Sequence, residues 1–469
     1  MKLTNSIYGP RILNENELDL IIETAFKILE NTGFIIEHSK ILKQLKDFGA
    51  VVDQSGQKVF ISKALIESFL EKINRKTWNE AMPQYTAESE IYNGYFLDPA
   101  DNQYKPWTHE LLLIYIKLSK KLSDIKGSYM LGCPIAEISQ KLQPLYEKLY
   151  CWKYGIRGGE GIWDIKLCES IYRMQEIYAR SVDKEIQDVF HGIVYLISPL
   201  KLGGYEAEQF WYFYERGLKV SIRSGGGTLG GTFPVTMAGA LAICLAENLM
   251  IGIINYILFN ITEVTYVGSI SCIDMKSASF QYGRPEKSIS IIAEAQIAKR
   301  LGFDYRGHSG LSDAKIPGFE AGVQKMITAM YNASVCGTGN IVAGLLGADE
   351  IFSPIQMILE NELIGALNHT CKGIEVNEET LAYDTIERVG PGGNFLSSEH
   401  TAVYFNSHLW QSHIWSDQMF NGWRSAGAKN DIDFAKELYM EMLHDPKGPE
   451  IFLNEETENK LLNVIKMTV

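Results

Sequence analysis

Apolar residues recur at helical spacing from Glu15 to Leu29 (ENELDLIIETAFKIL), and Gly33 follows where such a helix would be capped. The same reading places a helix over Ser39 to Phe48, closed by Gly49, and a serine-capped one over Ser62 to Ile73 behind a short strand, Lys58 to Ile61. Asn93-Gly94 between aromatic pairs predicts a hairpin over Glu90 to Asp98.

From Thr108 the rhythm changes to short apolar runs alternating with amphipathic ones. Strands are predicted at Ser128 to Leu131, Gly192 to Ile197, Leu218 to Ile222, Val264 to Ser269, Asp304 to Gly307, Val335 to Val342 and Gly373 to Val376, with an eighth near Trp152 to Ile156. Helices are predicted at Ile162 to Ala179, Tyr205 to Arg216, Val235 to Phe259, Pro285 to Arg300, Ala314 to Tyr331 and Pro354 to His369. Strand plus helix repeating over roughly 270 residues marks a parallel α/β fold, and eightfold closure makes it a TIM (β/α)8 barrel, a doubly wound sheet being the alternative. After Val389 the alternation stops in a glycine-rich loop, Gly390-Pro-Gly-Gly393, followed by helices near Ser416 to Ser425 and Asp431 to Leu443. The organisation read from this is an N-terminal helical and hairpin cap over 1–107, the barrel over 108–389, and a C-terminal helical extension over 390–469.

Between Phe233 and Ile261 the only charge is Glu247, a length that would span a bilayer. Glu247, Asn248 and Asn255 in its middle, and flanks without a basic cluster or aromatic belt, assign it to a buried helix with no membrane role. The opening MKLTNSIYGPRILNENELDL lacks the succession of a signal peptide, and a cytoplasmic protein is expected. Its seven cysteines, odd in number and without CxxC or zinc-type spacing, read as reduced, mostly buried thiols.

Charge narrows the partners. With 44 Lys+Arg against 57 Asp+Glu the net charge is −13, which argues against nucleic acid and favours small or cationic ligands. Gly225-Gly-Gly-Thr-Leu-Gly230 matches GxGxxG, but Gly231 to Phe233 intervene before the next helix and Glu247 falls inside that helix, so a barrel-mouth loop fits better than a dinucleotide site. His308, Ser309 and Asp313 suggest a triad, yet no GxSxG surrounds the serine. His400, His408 and His413 with Glu399 are not spaced for one helix face, and no metal site is expected. GxxxxGK[ST], HExxH and a DxHxxG corrinoid-ligand signature are missing, so no tightly bound cofactor is expected. Most of the aromatic residues must be core, but those beside strand ends could cage a quaternary ammonium by cation–π attraction worth roughly 0.5–2 kcal/mol per contact.

Several strings resemble the trimethylamine methyltransferase (MttB) superfamily: Ala25-Phe-Lys-Ile-Leu-Glu-Asn-Thr-Gly33 with Asp47-Phe-Gly-Ala50; Gly230-Gly-Thr-Phe-Pro-Val-Thr-Met-Ala-Gly239 with Ala246-Glu247-Asn-Leu249; Tyr282-Gly-Arg-Pro-Glu286; Gly310-Leu-Ser-Asp313; Asp384 with Val389-Gly-Pro-Gly-Gly393; and His400-Thr401. The resemblance implies a TIM barrel that demethylates methylamines and passes the methyl to the Co(I) of a separate small corrinoid protein, cobalamin being the acceptor. Members acting on trimethylamine use pyrrolysine, which this chain lacks; Gly344, Leu345 and Leu346, ahead of Ser353-Pro354, resemble the region where it would fall. The chain is therefore expected among the non-pyrrolysine members, which include glycine betaine methyltransferases, acting on a quaternary amine and forming a homo-oligomer. It departs from the family pattern at Ser224-Gly-Gly-Gly227, at Asn394 and over Cys151 to Gly159.

The site residues assigned on this basis are His308, Asp313 and Asp274 at the mouth, and Gly225, Gly226 and Gly227 admitting the corrinoid or substrate to the backbone. Gly392, Gly393 and His400 close over it, Phe96, Tyr305 and Phe395 are cage candidates, and Glu286 supplies negative charge. Glu360 and Glu362 are expected on the solvated surface. Two other readings stand beside this one: a barrel lyase or hydrolase for a small anionic substrate, and a non-catalytic solute or corrinoid-partner binder.

Overall fold

The computed structural model describes residues 10–468 apart from 54, 79–81 and 163; the first nine residues of the opening segment read above for a signal peptide lie outside them. Eight strands alternate with eight helices. In chain order they are β1 (Gln84–Ile91), α1 (His109–Lys121), β2 (Ile125–Met130), α2 (Gln143–Tyr154), β3 (Arg157–Gly158), α3 (Cys168–Ser181), β4 (Gly192–Leu196) and α4 (Gly204–Tyr214). The second half continues as β5 (Val220–Ser224), α5 (Met237–Phe259), β6 (Thr265–Val267), α6 (Pro285–Leu301), β7 (Asp304–Arg306), α7 (Phe319–Cys336), β8 (Thr338–Ala343) and α8 (Pro354–Cys371).

Parallel ladders run β8 to β1, β1 to β2, β2 to β3, β4 to β5 and β6 to β7, and a bridge from Gly161 to Ile193 joins β3 to β4. The last strand thus lies beside the first, and the fold is a TIM barrel. Two seams are joined above the ring. The chain beyond β5, Gly227–Leu229, pairs with Ile270–Cys272 beyond β6, and the Val342 N–H of β8 donates to the Gly310 carbonyl beyond β7 at 3.0 Å. Ile270–Asp274 and Ser279–Gln281 form a hairpin that builds a rim above the mouth.

An α/β cap precedes the barrel. Its strands 34–36, 51–53 and 58–60 make a sheet with Lys201–Leu202 of the barrel, Ile35 opposite Lys201, and its first helix is held by an Asn14/Glu17 capping box. Helical boundaries follow local chemistry. Ser353 accepts from Gln356 N–H ahead of Pro354 at the start of α8, Pro285 opens α6, and Gly155 (φ 63°) and Gly302 (φ 75°) end α2 and α6 in left-handed conformation. Residues 373–430 form an arm after α8, containing α9 (Glu399–His408); α10 (Asp431–His444) and α11 (Glu455–Met467) then return to the barrel shell.

Three strand expectations are corrected. The first barrel strand is Gln84–Ile91, in residues read as cap and hairpin; Tyr95–Leu97 pairs instead with Tyr104–Pro106 and Ile351–Phe352. The alternation in QYTAESEI is the cause: Tyr85, Ala87, Ser89 and Ile91 are buried under the helices, and Thr86, Glu88 and Glu90 line the lumen. Residues 373–376 are an exposed loop, with Ile374 90% exposed, and 152–156 is the end of α2, the strand beginning at Arg157. The glycine run at 225–230 passes into a rim strand and opens no helix, as the barrel reading required. Helix α5 is long and apolar enough to cross a membrane, but most residues from Ala240 to Ile254 are buried in the barrel shell.

Gly310 shows how tightly the β7/β8 seam is drawn. Its φ is 77°, and a Cβ there would lie 2.1 Å from Asn340 O and 2.4 Å from Ile341 Cα. Gly310→Ala is expected to cost about 2–4 kcal/mol, strain and overpacking together. Gly217→Ala, at φ 74° with nothing within 4 Å, should cost only about 1 kcal/mol. Thermal unfolding of the two variants checks the difference.

Candidate active site at the barrel mouth

Lumen side chains form a polar layer set by strand register. Glu90 is opposite Tyr129, Tyr129 opposite Arg157, and Tyr195 opposite Arg223. The outward direction is fixed by Ser89, whose Oγ meets Tyr115 OH of α1 at 3.2 Å. Most charges in this layer are paired: Glu88 with Arg157, and Glu160 with Arg223 at 3.6 Å while accepting from Tyr129 OH at 3.1 Å.

Glu90 is the exception. Among the described residues neither a hydrogen-bond donor nor a cation reaches its carboxyl, and burial, with the charges of Asp349 and Glu88 adding, pushes its pKa up to about 8. Its charge bears on the hydroxyls of Tyr115, Tyr129, Tyr195 and Tyr282, so an unpaired acid sits among aromatic rings.

Tyr282 is held on three sides. Asp313 accepts the Tyr282 and Gly283 N–H groups, both at 2.7 Å, and Tyr282 OH donates to Asp349 at 2.7 Å. The His308 ring packs edge-to-face on it, centroids 5.3 Å apart. Desolvation, reinforced by the Lys287 ammonium, holds the His308 pKa well below the ordinary range. Lys287 is itself buried, donating to Ile270 O at 2.9 Å and Ser271 Oγ at 3.3 Å, and burial lowers it to about 8.

Beneath the mouth lies a buried ion pair. Lys325 Nζ is 2.7 Å from Glu360 Oε1 and donates to Val342 O at 2.6 Å; Glu360 also accepts from Gly344 N–H and Gln356 Nε2, each at 2.7 Å. Desolvation pushes the ammonium down and the carboxyl up, and each opposes the shift of the other. The surface placement of Glu360 and Glu362 is thereby corrected: they are 1% and 4% exposed, and Glu362 accepts the His413 N–H at 2.7 Å.

Of the residues singled out by sequence, the structure brings His308, Asp313 and Leu345 together around Tyr282, Leu345 sharing an apolar cluster with it. Gly344 (φ 82°) and the buried Leu346 flank Leu345 at the end of β8. Other candidates lie elsewhere. Asp274 caps the rim hairpin by accepting from Ser277, 3.7 Å from Arg284; Glu286 is an exposed residue in the first turn of α6. Phe96 is fully buried against Trp107 and Phe352, and Tyr305 points outward into the helix layer, donating to Glu294 at 3.1 Å. Phe395, Gly392, Gly393 and His400 belong to the arm, where His400 packs on Tyr404 with centroids 4.6 Å apart.

The glycines 225–227 serve the barrel's own packing. A Cβ at Gly225 would meet Leu196 O at 2.6 Å, at Gly226 Ser269 O at 2.9 Å, and at Gly227 the Phe233 ring at 2.4 Å. Glu90, Tyr129, Tyr195, Tyr282 and Asp349 were missed. Their signal was a polar side chain inside an otherwise apolar strand, legible for Tyr129 and Tyr195 within strands that were predicted. Among the described residues no group of three or more His, Cys, Asp or Glu is placed to hold a metal.

A closed parallel barrel with its polar cluster at the carboxyl ends of the strands belongs to the class of barrel enzymes that work at that mouth. Residues 164–467 match the family described as trimethylamine methyltransferase (MTTB); the chain belongs to that family and is a methyltransferase. It is 28% identical over 425 residues to the glycine betaine methyltransferase of Desulfitobacterium hafniense (strain Y51), covering 83% of each chain. It is 24% identical over 454 residues to trimethylamine methyltransferase MttB of D. hafniense (strain DSM 10664 / DCB-2), covering 93% of this chain and 89% of that one. A third relative, MttB of Methanosarcina barkeri (strain Fusaro / DSM 804), is 32% identical over 219 residues, covering 46% of this chain and 43% of that one.

The buried pair yields a stability test. Lys325→Met or Glu360→Gln alone leaves the partner buried with its charge uncompensated and is expected to cost about 3–5 kcal/mol, while the double variant recovers much of that loss. Chemical denaturation of the three variants measures the coupling.

Proposed function

We propose that the chain transfers a methyl group from a quaternary amine of the betaine type to a corrinoid carried by a separate protein. The observation that carries this reading is Glu90, a carboxyl without a partner in a lumen lined by Tyr129, Tyr195 and Tyr282. Such a group is complementary to a methylated ammonium, which has no N–H to donate and binds through charge and ring faces. The paired Arg157 and Arg223 of the same layer give a carboxylate on the same molecule a cation to approach.

The chemistry asks little more of the protein. A quaternary nitrogen leaves as a neutral amine and needs no general acid, so the residues have to orient the methyl toward the open mouth and exclude water. The bound corrinoid supplies the nucleophile. On this side, Tyr282 fixed by Asp313 and Asp349 forms one wall and the neutral His308 another. Leu345 fills the place beside Tyr282 with apolar surface, consistent with a donor that needs no covalent activation.

Proton linkage gives the test. The empty site holds Glu90 protonated below about pH 8, whereas a bound cation favours the ionised form, so binding releases a proton and tightens as pH rises toward 8. Calorimetric titration with glycine betaine is expected to show Kd falling about ten- to fiftyfold from pH 6 to pH 8, and Glu90→Gln should bind weakly with a flat profile. A pH-independent Kd in the unsubstituted protein would sink the role of Glu90. With a reduced corrinoid protein, failure of a panel of quaternary and tertiary amines to yield methylcobalamin absorbance would sink the reaction.

A further inference from the structure

The turn that follows β8 is built in a conformation its residues resist. Gly347, Ala348 and Asp349 have φ of 62°, 54° and 77°, three successive left-handed residues of which two carry a Cβ. Such residues occur singly, because the Cβ crowds the following carbonyl, and a run of them persists only where the surroundings fix it. Here the surroundings do so. The Gly347 and Ala348 N–H groups donate to Ala314 O at 2.8 Å and Ser312 O at 3.0 Å, and the Glu350 carbonyl accepts the Tyr95 N–H at 2.9 Å. The group held in place by this turn is the Asp349 carboxyl. Its Oδ2 accepts Tyr282 OH at 2.7 Å, while its Oδ1 is buried and has no donor among the described residues.

The same clamp sets Asp349 on the side of the mouth that carries Glu90. Strand β8 pairs with β1, Ala343 opposite Ser89, and the turn is tied to the chain just beyond β1 at Tyr95. Two acids whose charges meet in a dry site do not both ionise, and the proton goes to the one with less support. Asp349 has the Tyr282 hydroxyl and the ammonium groups of Lys325 and Lys287, which oppose the push of burial and of Asp313. Among the described residues Glu90 has neither donor nor cation; it faces the Glu88 charge and the hydroxyls of Tyr115, Tyr129 and Tyr195. Tyr92 also feels Asp349, and His308, behind Tyr282, is neutral. We propose that Glu90 and Asp349 act as one acid pair holding a single proton, in which ionised Asp349 is the positioning residue that keeps Glu90 protonated until a methylated ammonium arrives. On binding, the Glu90 O–H bond breaks, its proton passes to solvent, and the cation meets two negative charges where the empty mouth had one. A neutral group of the same shape gains nothing from that exchange. This inference rests on the reading of Glu90 as the partner of the cation.

Asp349→Asn tests the pairing, asparagine being isosteric and tolerant of the left-handed backbone at this position. In calorimetric titration with glycine betaine, the fall in Kd from pH 7 to pH 8 should shrink from about fivefold in the unsubstituted protein to about twofold, the midpoint moving down by about one pH unit. Titrations in two buffers of different ionisation enthalpy should show close to one proton released at pH 7 by the unsubstituted protein and about half of one by the variant. At pH 9, with Glu90 ionised in both, the variant should bind betaine about three- to tenfold more weakly. Its Kd for tert-butylacetate, which has carbon in place of the charged nitrogen, should not rise. Lys287 titrates in the same range, and Glu90→Gln, which retains that ammonium, should still show no midpoint. Should Asp349→Asn misfold, Asp349→Gly, suited to the same φ, carries the same expectations. A variant with the parental midpoint and proton release, or one that loses both ligands alike, overturns the pairing and leaves the role of Glu90 standing. A pH-independent Kd in the unsubstituted protein overturns both.

Discussion

Lys325 and Glu360, a cation and an anion fully removed from water, fix the end of the eighth strand, and the mouth is built outward from that point. The ammonium takes the Val342 carbonyl and the carboxylate takes the Gly344 N–H, so two helices grip consecutive turns of one strand end. Neither ion is satisfied without the other, which makes the position of this strand end a matter of several kcal/mol. Gln324, beside Lys325, accepts from Ser312 Oγ and Asp313 N–H, placing the Asp313 carboxylate that clamps Tyr282 and Gly283. A side chain at position 283 would sit 2.2 Å from the Gln324 amide carbon, so the same contact accounts for glycine there. Tyr282 then meets Asp349, just past β8, and a chain of direct contacts runs from the buried pair to the aromatic wall.

Much of the barrel could be read from sequence because its signals are local. Pro285, Ser353-Pro354, Gly155 and Gly302 announce helix ends by their own conformational preferences, and apolar runs such as Gly192 to Ile197 identify buried strands whatever packs on them. The first strand was hidden by its own pattern: a strand facing a polar lumen alternates like a solvated hairpin, and only closure against β8 distinguishes the two. Glu360 and Glu362 failed for a different reason. A charge is assigned to the surface unless its partner is known, and the partner of Glu360 lies on another helix. Resemblance supplied the family, whereas the aromatic candidates chosen from strand ends went to the core and the arm, since proximity to a loop does not say which way a ring turns.

The acidity of the chain divides into two parts. Most of the −13 sits on the exterior, where it favours solubility. Inside, several carboxylates are matched: Glu88 and Glu160 with arginines, Glu247 with Ser198, Ser224 and the Leu200 N–H, Asp313 with two backbone amides. Against this background Glu90 is informative, because among these acids its carboxyl alone has neither a hydrogen-bond donor nor a cation and is left for a ligand.

The rim has a consequence for how the protein can change. In many barrels the loops after the strands vary in length without touching the barrel itself. Here the segments after β5 and β6 pair with one another, and the segment after β7 bonds to β8, so they are at once the edge of the mouth and the closure of the wall. Insertions between Ser224 and Gly227, between Val267 and Ile270, or near Gly310 would open the cylinder while reshaping the entrance. New substrate preferences are therefore more accessible through side-chain exchange within the lumen than through loop grafting, and sites for circular permutation lie on the opposite face, where helices return to strands.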